Sequence, residues 1–235
     1  MTAGGQIPLD LPHRRALDRE DFLVADCNRV AVGWIDRWPE WPSPALVLYG
    51  PEGAGKTHLA AAWQGLSGAI WCDAATLDVA DVGRLTGQGQ TAFVADAADV
   101  SDADQRALLH LYNIVAERQG HLVLTCREPP ARWHATLPDL RSRLAAAGTA
   151  ALGAPDDALL AAVMVKQFAD RQLQVGAELP AFILPRIERS FAAVGRIVAA
   201  LDRAALAAHR PITIPLARDV LARIEAENMT VNGED

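Results

Sequence analysis

Apolar positions along this chain follow two regimes that change near residue 155. Before it, Ala45-Leu-Val-Leu-Tyr49, Ala69-Ile-Trp-Cys72, Ala92-Phe-Val-Ala95 and His121-Leu-Val-Leu-Thr125 are short, nearly unbroken apolar runs. Continuous runs of this length are the signature of strands buried on both faces. Between the last two, the stretch from Asp102 to Gln119 carries Leu108, Leu109, Tyr112 and Val115 as a stripe at helical spacing. Strands alternating with helices of this length predict an α/β fold with a parallel sheet covered on both faces. After about Pro155, Leu159, Leu160, Val163, Met164 and Phe168 repeat with helical spacing, Gln167 being the polar member. Ile187, Phe191, Val194, Val198, Leu201 and Ala205 form a second stripe, and a third helix is predicted from Leu216 to Ala226. Apart from Ile212-Thr-Ile214, between two prolines, nothing in this half reads as a strand. The pattern divides the chain into a flexible arm at 1–15, a core at 16–155, an all-helical lid at 156–227 and a polar tail at 228–235. Trp34, Trp38 and Trp41 fall at i, i+4 and i+7, which predicts one packing face of a helix terminated by Pro42 and Pro44.

Composition narrows the class. Hydrophobic residues make up 51% of the 235, enough for a sizeable core. The net charge of −7 argues against holding DNA through a basic surface, because phosphate contact needs clustered Lys and Arg. It leaves room for protein partners. Cys27, Cys72 and Cys126 lack metal-ligand spacing and suit a reducing compartment, as small core residues. No apolar run approaches the roughly 20 residues of a membrane span, and the N-terminus is no secretory signal. A cytoplasmic globular protein is expected, with no membrane contact.

The strongest chemical signal is Gly50-Pro-Glu-Gly-Ala-Gly-Lys-Thr57, which satisfies G-x-x-x-x-G-K-[ST] at every fixed position. It follows an apolar run and opens a helix-like stretch, Lys56-Thr-His-Leu-Ala-Ala-Ala-Trp63, the context this motif needs. The loop spanning Gly50, Pro51, Glu52, Gly53, Ala54 and Gly55 lets backbone N–H groups curl around phosphates, aided by the helix N-terminus. Lys56 is expected to reach the β- and γ-phosphates and the Thr57 hydroxyl to hold Mg²⁺, with His58 beside them. The chemistry also needs a carboxylate at the end of a neighbouring strand to orient the metal, and Asp96 stands there. In many such ATPases the next residue is a second carboxylate that polarises water; here it is Ala97, so intrinsic hydrolysis is expected to be slow. Asp99 compensates only if its loop folds back, while Asp102 and Asp104 read as helix-start residues.

With these motifs in place, the order of P-loop, acidic strand, Leu122-Val-Leu-Thr125 and helical lid resembles the AAA+ ATPases of the DnaA group, and within it the Hda family of regulators. Four stretches carry the resemblance, over roughly residues 6 to 226: Phe22-Leu-Val-Ala with Asn28; Leu48 to Leu59; Leu137-Pro-Asp-Leu-Arg-Ser-Arg-Leu144; and Pro211-Ile-Thr-Ile-Pro215. The resemblance implies a P-loop AAA+ core with a small helical lid, binding ADP or ATP with Mg²⁺. Arg143 is then an arginine finger acting in trans, Thr125 (with Cys126 as a rival) the sensor 1 position, and Phe22, Leu23 and Val24 the adenine contact. The sensor 2 arginine falls at Gly195 without gaps, with Arg196 one residue later; either the helix is shifted by one or the contact is missing. Gln6-Ile-Pro-Leu-Asp-Leu11 fits Q-x-x-L-x-L, similar to the peptide by which such regulators dock on the DNA sliding clamp. Ile7, Leu9 and Leu11 would enter an apolar groove while the Gln6 amide fixes register.

The implied function is nucleotide-dependent, clamp-docked promotion of ATP hydrolysis on DnaA in trans, which restrains initiation of replication at the nucleoid and replisome. A homodimer is among the assemblies it allows. A helicase-loader or transposition-helper ATPase, or a nucleotide-locked clamp adaptor without catalytic contribution, are the alternatives. The chain ends soon after the lid, so no helix-turn-helix for sequence-specific DNA binding is expected. The glycine-containing stretch before Asp96 leaves little room for the family's helical insertion that engages single-stranded DNA.

Overall fold

The computed structural model describes residues 22–74, 76–86, 92–96, 102–133 and 135–231. Five parallel strands, β1 (Ala45–Tyr49), β2 (Ile70–Asp73), β3 (Ala92–Asp96), β4 (His121–Cys126) and β5 (Gly148–Ala151), form one sheet in the order β2-β3-β4-β1-β5. Helices α1 (Arg29–Asp36), α2 (Lys56–Ser67), α3 (Val79–Thr86), α4 (Asp102–Glu117) and α5 (Pro138–Ala146) surround it. Alternate side chains of each strand go to opposite faces. Ala45 and Val47 of β1 join Phe93, Leu122 and Leu124 under α3, α4 and α5. Leu46 and Leu48 join Val94, Val123 and Ala150 under α1 and α2. The unbroken apolar runs therefore reflect a sheet buried on both sides, as expected.

The strand missing from the sequence reading is β5. Gly148-Thr-Ala-Ala151 has no bulky residue, yet it pairs with β1 from Leu46↔Gly148 to Tyr49↔Ala151. Smallness suits the site: a Cβ on Gly148 would stand 3.1 Å from the Trp34 ring. The stripe of α4 also needs correction. Leu111 is fully buried and Leu109 only partly, so the buried apolar side chains of the helix are Ala107, Leu108, Leu111, Tyr112 and Val115.

The tryptophans pack together, but not on one helix. Helix α1 stops at Asp36, because Pro39 disfavours helical backbone at the residue before it; Pro42 and Pro44 come too late to be the stop. Trp38 and Trp41 instead lie beyond the helix end and close around Trp63 of α2, at ring-centroid distances of 6.1 and 5.6 Å. His121, at the start of β4, sits edge-on to both, at 5.9 and 5.5 Å, and its Nε2 lies 3.1 Å from the Pro39 carbonyl oxygen.

Burial holds the His121 pKa below its ordinary value, the Pro39 hydrogen bond opposing it. The unfolded chain therefore takes up a proton before the folded one does. Stability from this residue is complete above the usual histidine value of about 6.5 and is lost as pH falls from there through the lower folded-state value. Urea midpoints measured from pH 7.5 down to 5 should fall less steeply in His121→Phe than in the parent protein. Parallel curves would mean that the ring's surroundings do not matter to folding.

Beyond β5, α6 (Asp157–Asp170), α7 (Glu178–Ile183), α8 (Phe191–Ala208) and α9 (Ile214–Val231) form a separate helical layer. Leu160, Met164, Phe168, Ile183, Val194, Val198, Leu201 and Val220 make its core. Asp156 caps α6, its carboxylate accepting the Leu159 N–H at 2.7 Å. Ser190 caps α8 in the same way through the Ala193 N–H at 3.1 Å. The short helix α7 has no counterpart in the sequence reading, and Ile212-Thr-Ile214 leads directly into α9 rather than forming a strand. Ile187 lies outside α8, which begins at Phe191. Among the described residues, no helix is long and apolar enough to cross a membrane.

Candidate nucleotide site

Residues 50–55 leave the end of β1 and enter α2 as a tight loop. Gly50 donates to the Cys126 carbonyl at 3.3 Å and has φ of 150°. A Cβ there would stand 2.0 Å from the Leu152 carbonyl oxygen, so only glycine fits. Leu152 is held in place because its N–H donates to the Tyr49 carbonyl at 2.8 Å, continuing the β5 pairing one residue past the strand. Gly55 caps α2 in the left-handed conformation, φ 91°. Pro51, Glu52 and Gly53 form the outer bend, Ala54 is buried beneath it, and Glu52 lies 3.5 Å from Arg127.

The Lys56 Nζ donates to the carbonyls of Gly50 and Pro51, each at 2.8 Å. Burial lowers its pKa, with Cys126 and Asp96 opposing the shift. An ammonium beside a loop of backbone donors, partly desolvated, is arranged to hold an anion. Thr57 follows it in the first turn of α2, at the positive end of the helix. Asp96 ends β3, and the register places it opposite Thr125 of β4, which is itself opposite Leu48 of β1. The Thr125 hydroxyl is buried and has no hydrogen-bond partner among the described residues. Such an orphaned group next to a carboxylate is a reason to expect a polar ligand. Cys126 is the weaker rival for the polar position, since its thiol is buried, pushed up to about 12, and directed at the Glu128 carbonyl at 3.0 Å.

Phe22 packs into the core, its ring 5.3 Å from that of His58. Leu23 reaches an apolar groove of about 810 Å³ between α6 and α7, lined also by Ala158, Ala161, Pro180 and Leu184. Val24 is half exposed. This segment thus runs from the P-loop helix to the lid. Asn28 fixes it, donating to the Leu23 carbonyl and accepting from the Ala25 N–H, each at 2.9 Å.

The lid meets the loop through residues the sequence reading did not single out. A Cβ on Gly53 would lie 2.5 Å from the Ser190 Cβ, and one on Gly55 would lie 3.0 and 3.1 Å from carbons of the Phe191 ring. The contact therefore falls on the first turn of α8. Arg196 lies a turn further along, exposed, 3.5 Å from Glu188. A Cβ on Gly195 would lie 3.9 Å from the Gln167 Oε1. Nothing short of the fold would reveal a contact between residues some 135 positions apart.

Arg143 stands apart from this cluster. It is exposed on α5, its guanidinium 5.7 Å from the centre of the Tyr112 ring, and no carboxylate pairs with it among the described residues. Helix α5 runs down to the start of β5, whose Gly148 pairs with Leu46, whereas the P-loop leaves the opposite end of β1. Ala97, Asp99 and the stretch holding Gln6, Ile7, Leu9 and Leu11 lie outside the described residues.

A family profile described as "Hda, lid domain" matches residues 156–221. Among solved structures, domain III of the replication initiation protein DnaA from Thermotoga maritima is similar, with a TM-score of 0.73 at 16% identity. The alignment covers 91% of this chain and 98% of that one. DnaA from Aquifex aeolicus bound to AMPPCP aligns with a TM-score of 0.62 at 15% identity, over 81% of this chain and 66% of the other. The RuvB branch migration motor of Thermotoga maritima gives 0.60 at 14%, over 76% and 61%. The chain thus spans just under two thirds of the longer initiator. The chain carries a P-loop sequence on the fold of DnaA domain III, and residues 156–221 match the Hda lid profile.

Proposed function

We propose that this protein is a nucleotide-dependent regulator of the initiator DnaA that completes DnaA's ATPase site in trans while docked on the sliding clamp. The observation that carries this reading is the position of Arg143 on a core that bears an Hda-type lid. An exposed guanidinium, without an acidic partner among the described residues and on a helix that runs away from its own P-loop, suits a neighbour's site better than its own.

ADP or ATP fits the cradle of Gly50 to Gly55, with Lys56 on the phosphates and Phe22, Leu23 and Val24 towards the base. Thr57 and Asp96 would hold Mg²⁺, and Thr125 offers a hydroxyl in search of a partner. The metal, when bound, neutralises phosphate charge. The chain's own residues hold and orient the phosphates, and Ala97 leaves no carboxylate next to Asp96 to draw a proton from water. This makes the core a holder of nucleotide rather than a fast hydrolase, with residues 16–155 as core and 156–227 as lid. Arg143 would bring positive charge to the phosphates in DnaA's site.

Docking falls to Gln6, Ile7, Leu9 and Leu11. Replacing Gln6, Leu9 and Leu11 with alanine should abolish clamp binding and clamp-dependent DnaA hydrolysis, with ADP affinity unchanged. The check is a pull-down on immobilised clamp together with a DnaA ATPase assay. Full stimulation by this variant would remove the clamp from the reading.

A further inference from the structure

The core presents the P-loop with backbone donors, an ammonium, a hydroxyl and a carboxylate. The lid presents something different. Its contact with the loop is made by Ser190 and Phe191, against Gly53 and Gly55. Ser190 is 2% exposed and its hydroxyl is engaged in capping α8, so it is committed to the helix. The cations nearest this turn in sequence are also engaged: Arg189 lies 2.6 Å from Asp157 and Arg196 lies 3.5 Å from Glu188. The group left facing the loop is an uncharged ring.

We propose that Phe191 is the lid's contribution to the nucleotide site: an aromatic wall, pressed on the glycine loop, that retains nucleotide by contact and reads no charge on the terminal phosphate. This rests on the P-loop being a nucleotide site, as argued above. A guanidinium from the lid would form charge-assisted bonds to a terminal phosphate and so separate triphosphate from diphosphate. A phenyl ring cannot do so; its contribution scales with the area it covers, which is common to both. Closure is also steric. The start of α8 packs on the loop because position 53 carries no Cβ against Ser190 and position 55 none against the Phe191 ring, so lid position and nucleotide retention are coupled. The lid should therefore contribute equally to holding diphosphate and triphosphate, and a lid that loses its ring should release both sooner.

The test is titration of Mg-ADP and Mg-ATP by calorimetry, with release rates from a fluorescent nucleotide analogue. Phe191→Ala should weaken both nucleotides in equal measure, by about tenfold for a ring of this size, and speed release. Phe191→Leu, which keeps apolar bulk and guards against a folding defect, should retain most of the affinity. Arg196→Ala should leave the ratio of the two affinities where it is. The proposal is overturned if Phe191→Ala leaves both affinities unchanged, or if Arg196→Ala weakens ATP selectively. Lys56→Ala separates this from the underlying reading. If that variant binds as well as the parent, the P-loop assignment itself fails; if it loses binding while Phe191→Ala does not, only the aromatic wall falls.

Discussion

Arg143→Ala is expected to abolish stimulation of DnaA's ATP hydrolysis while leaving clamp binding and nucleotide affinity intact. Arginine fingers are worth roughly 10³ to 10⁵ in rate, so the loss should bring DnaA back to its intrinsic turnover. The residue's surroundings make the result interpretable. Arg143 is exposed, and its contact in the fold is the face of Tyr112 at 5.7 Å, worth about 0.5–1 kcal/mol at an exposed site. The buried residues of α5 are Leu140 and Leu144, which the substitution does not touch. The helix should therefore stay folded, and a lost rate cannot be assigned to lost structure. Arg143→Lys should restore little, since an ammonium lacks the planar fork of donors. Single-turnover hydrolysis by ATP-loaded DnaA, with clamp and each variant, gives the measurement. Undiminished stimulation by Arg143→Ala would remove the trans-acting finger and leave a tethering adaptor as the better account.

Gly50→Ala should be the most damaging single methyl in the core. The added carbon would lie 2.0 Å from the Leu152 carbonyl oxygen, and that carbonyl belongs to backbone held by β1 and β5 rather than to a side chain that can swing aside. The φ of 150° adds strain of about 1–3 kcal/mol for a residue with a Cβ. The loop must move, and Lys56 loses the Gly50 carbonyl that orients it. ADP affinity should fall by at least about tenfold, equivalent to 1.4 kcal/mol, with a lower unfolding midpoint. Calorimetry and urea denaturation on the same preparation give both readings. A variant as stable and as tight-binding as the parent would show that the loop is not held against Leu152.

The contrast between Gly33 and Gly50 shows where sequence reasoning reaches and where it stops. A Cβ on Gly33 would meet nothing within 4 Å, while one on Gly50 would collide with a strand end a hundred residues away. The P-loop could be recognised because its chemistry lies within eight consecutive residues and needs only local backbone geometry. Lys56, Thr57 and the helix that follows were equally legible for that reason. Asp96 was visible as the polar end of an apolar run, but its pairing with Thr125 depends on the register of β3 and β4.

What the sequence by itself determined about this protein is therefore whatever arises within one strand, one loop or one helix. That covers the doubly buried strands, the glycine loop and the main helical stripes of the lid, because burial and backbone sterics act residue by residue along the chain. Tertiary structure decided the rest. It recruited Gly148-Thr-Ala-Ala151 as a strand, although four small residues carry no apolar signal, because β1 offered an open edge and Trp34 left no room for a larger side chain. It gathered Trp38, Trp41, Trp63 and His121 from separate elements. It also set Ser190 and Phe191 on the P-loop, since the angle between lid and core follows from the packing of whole helices rather than from any pattern within one.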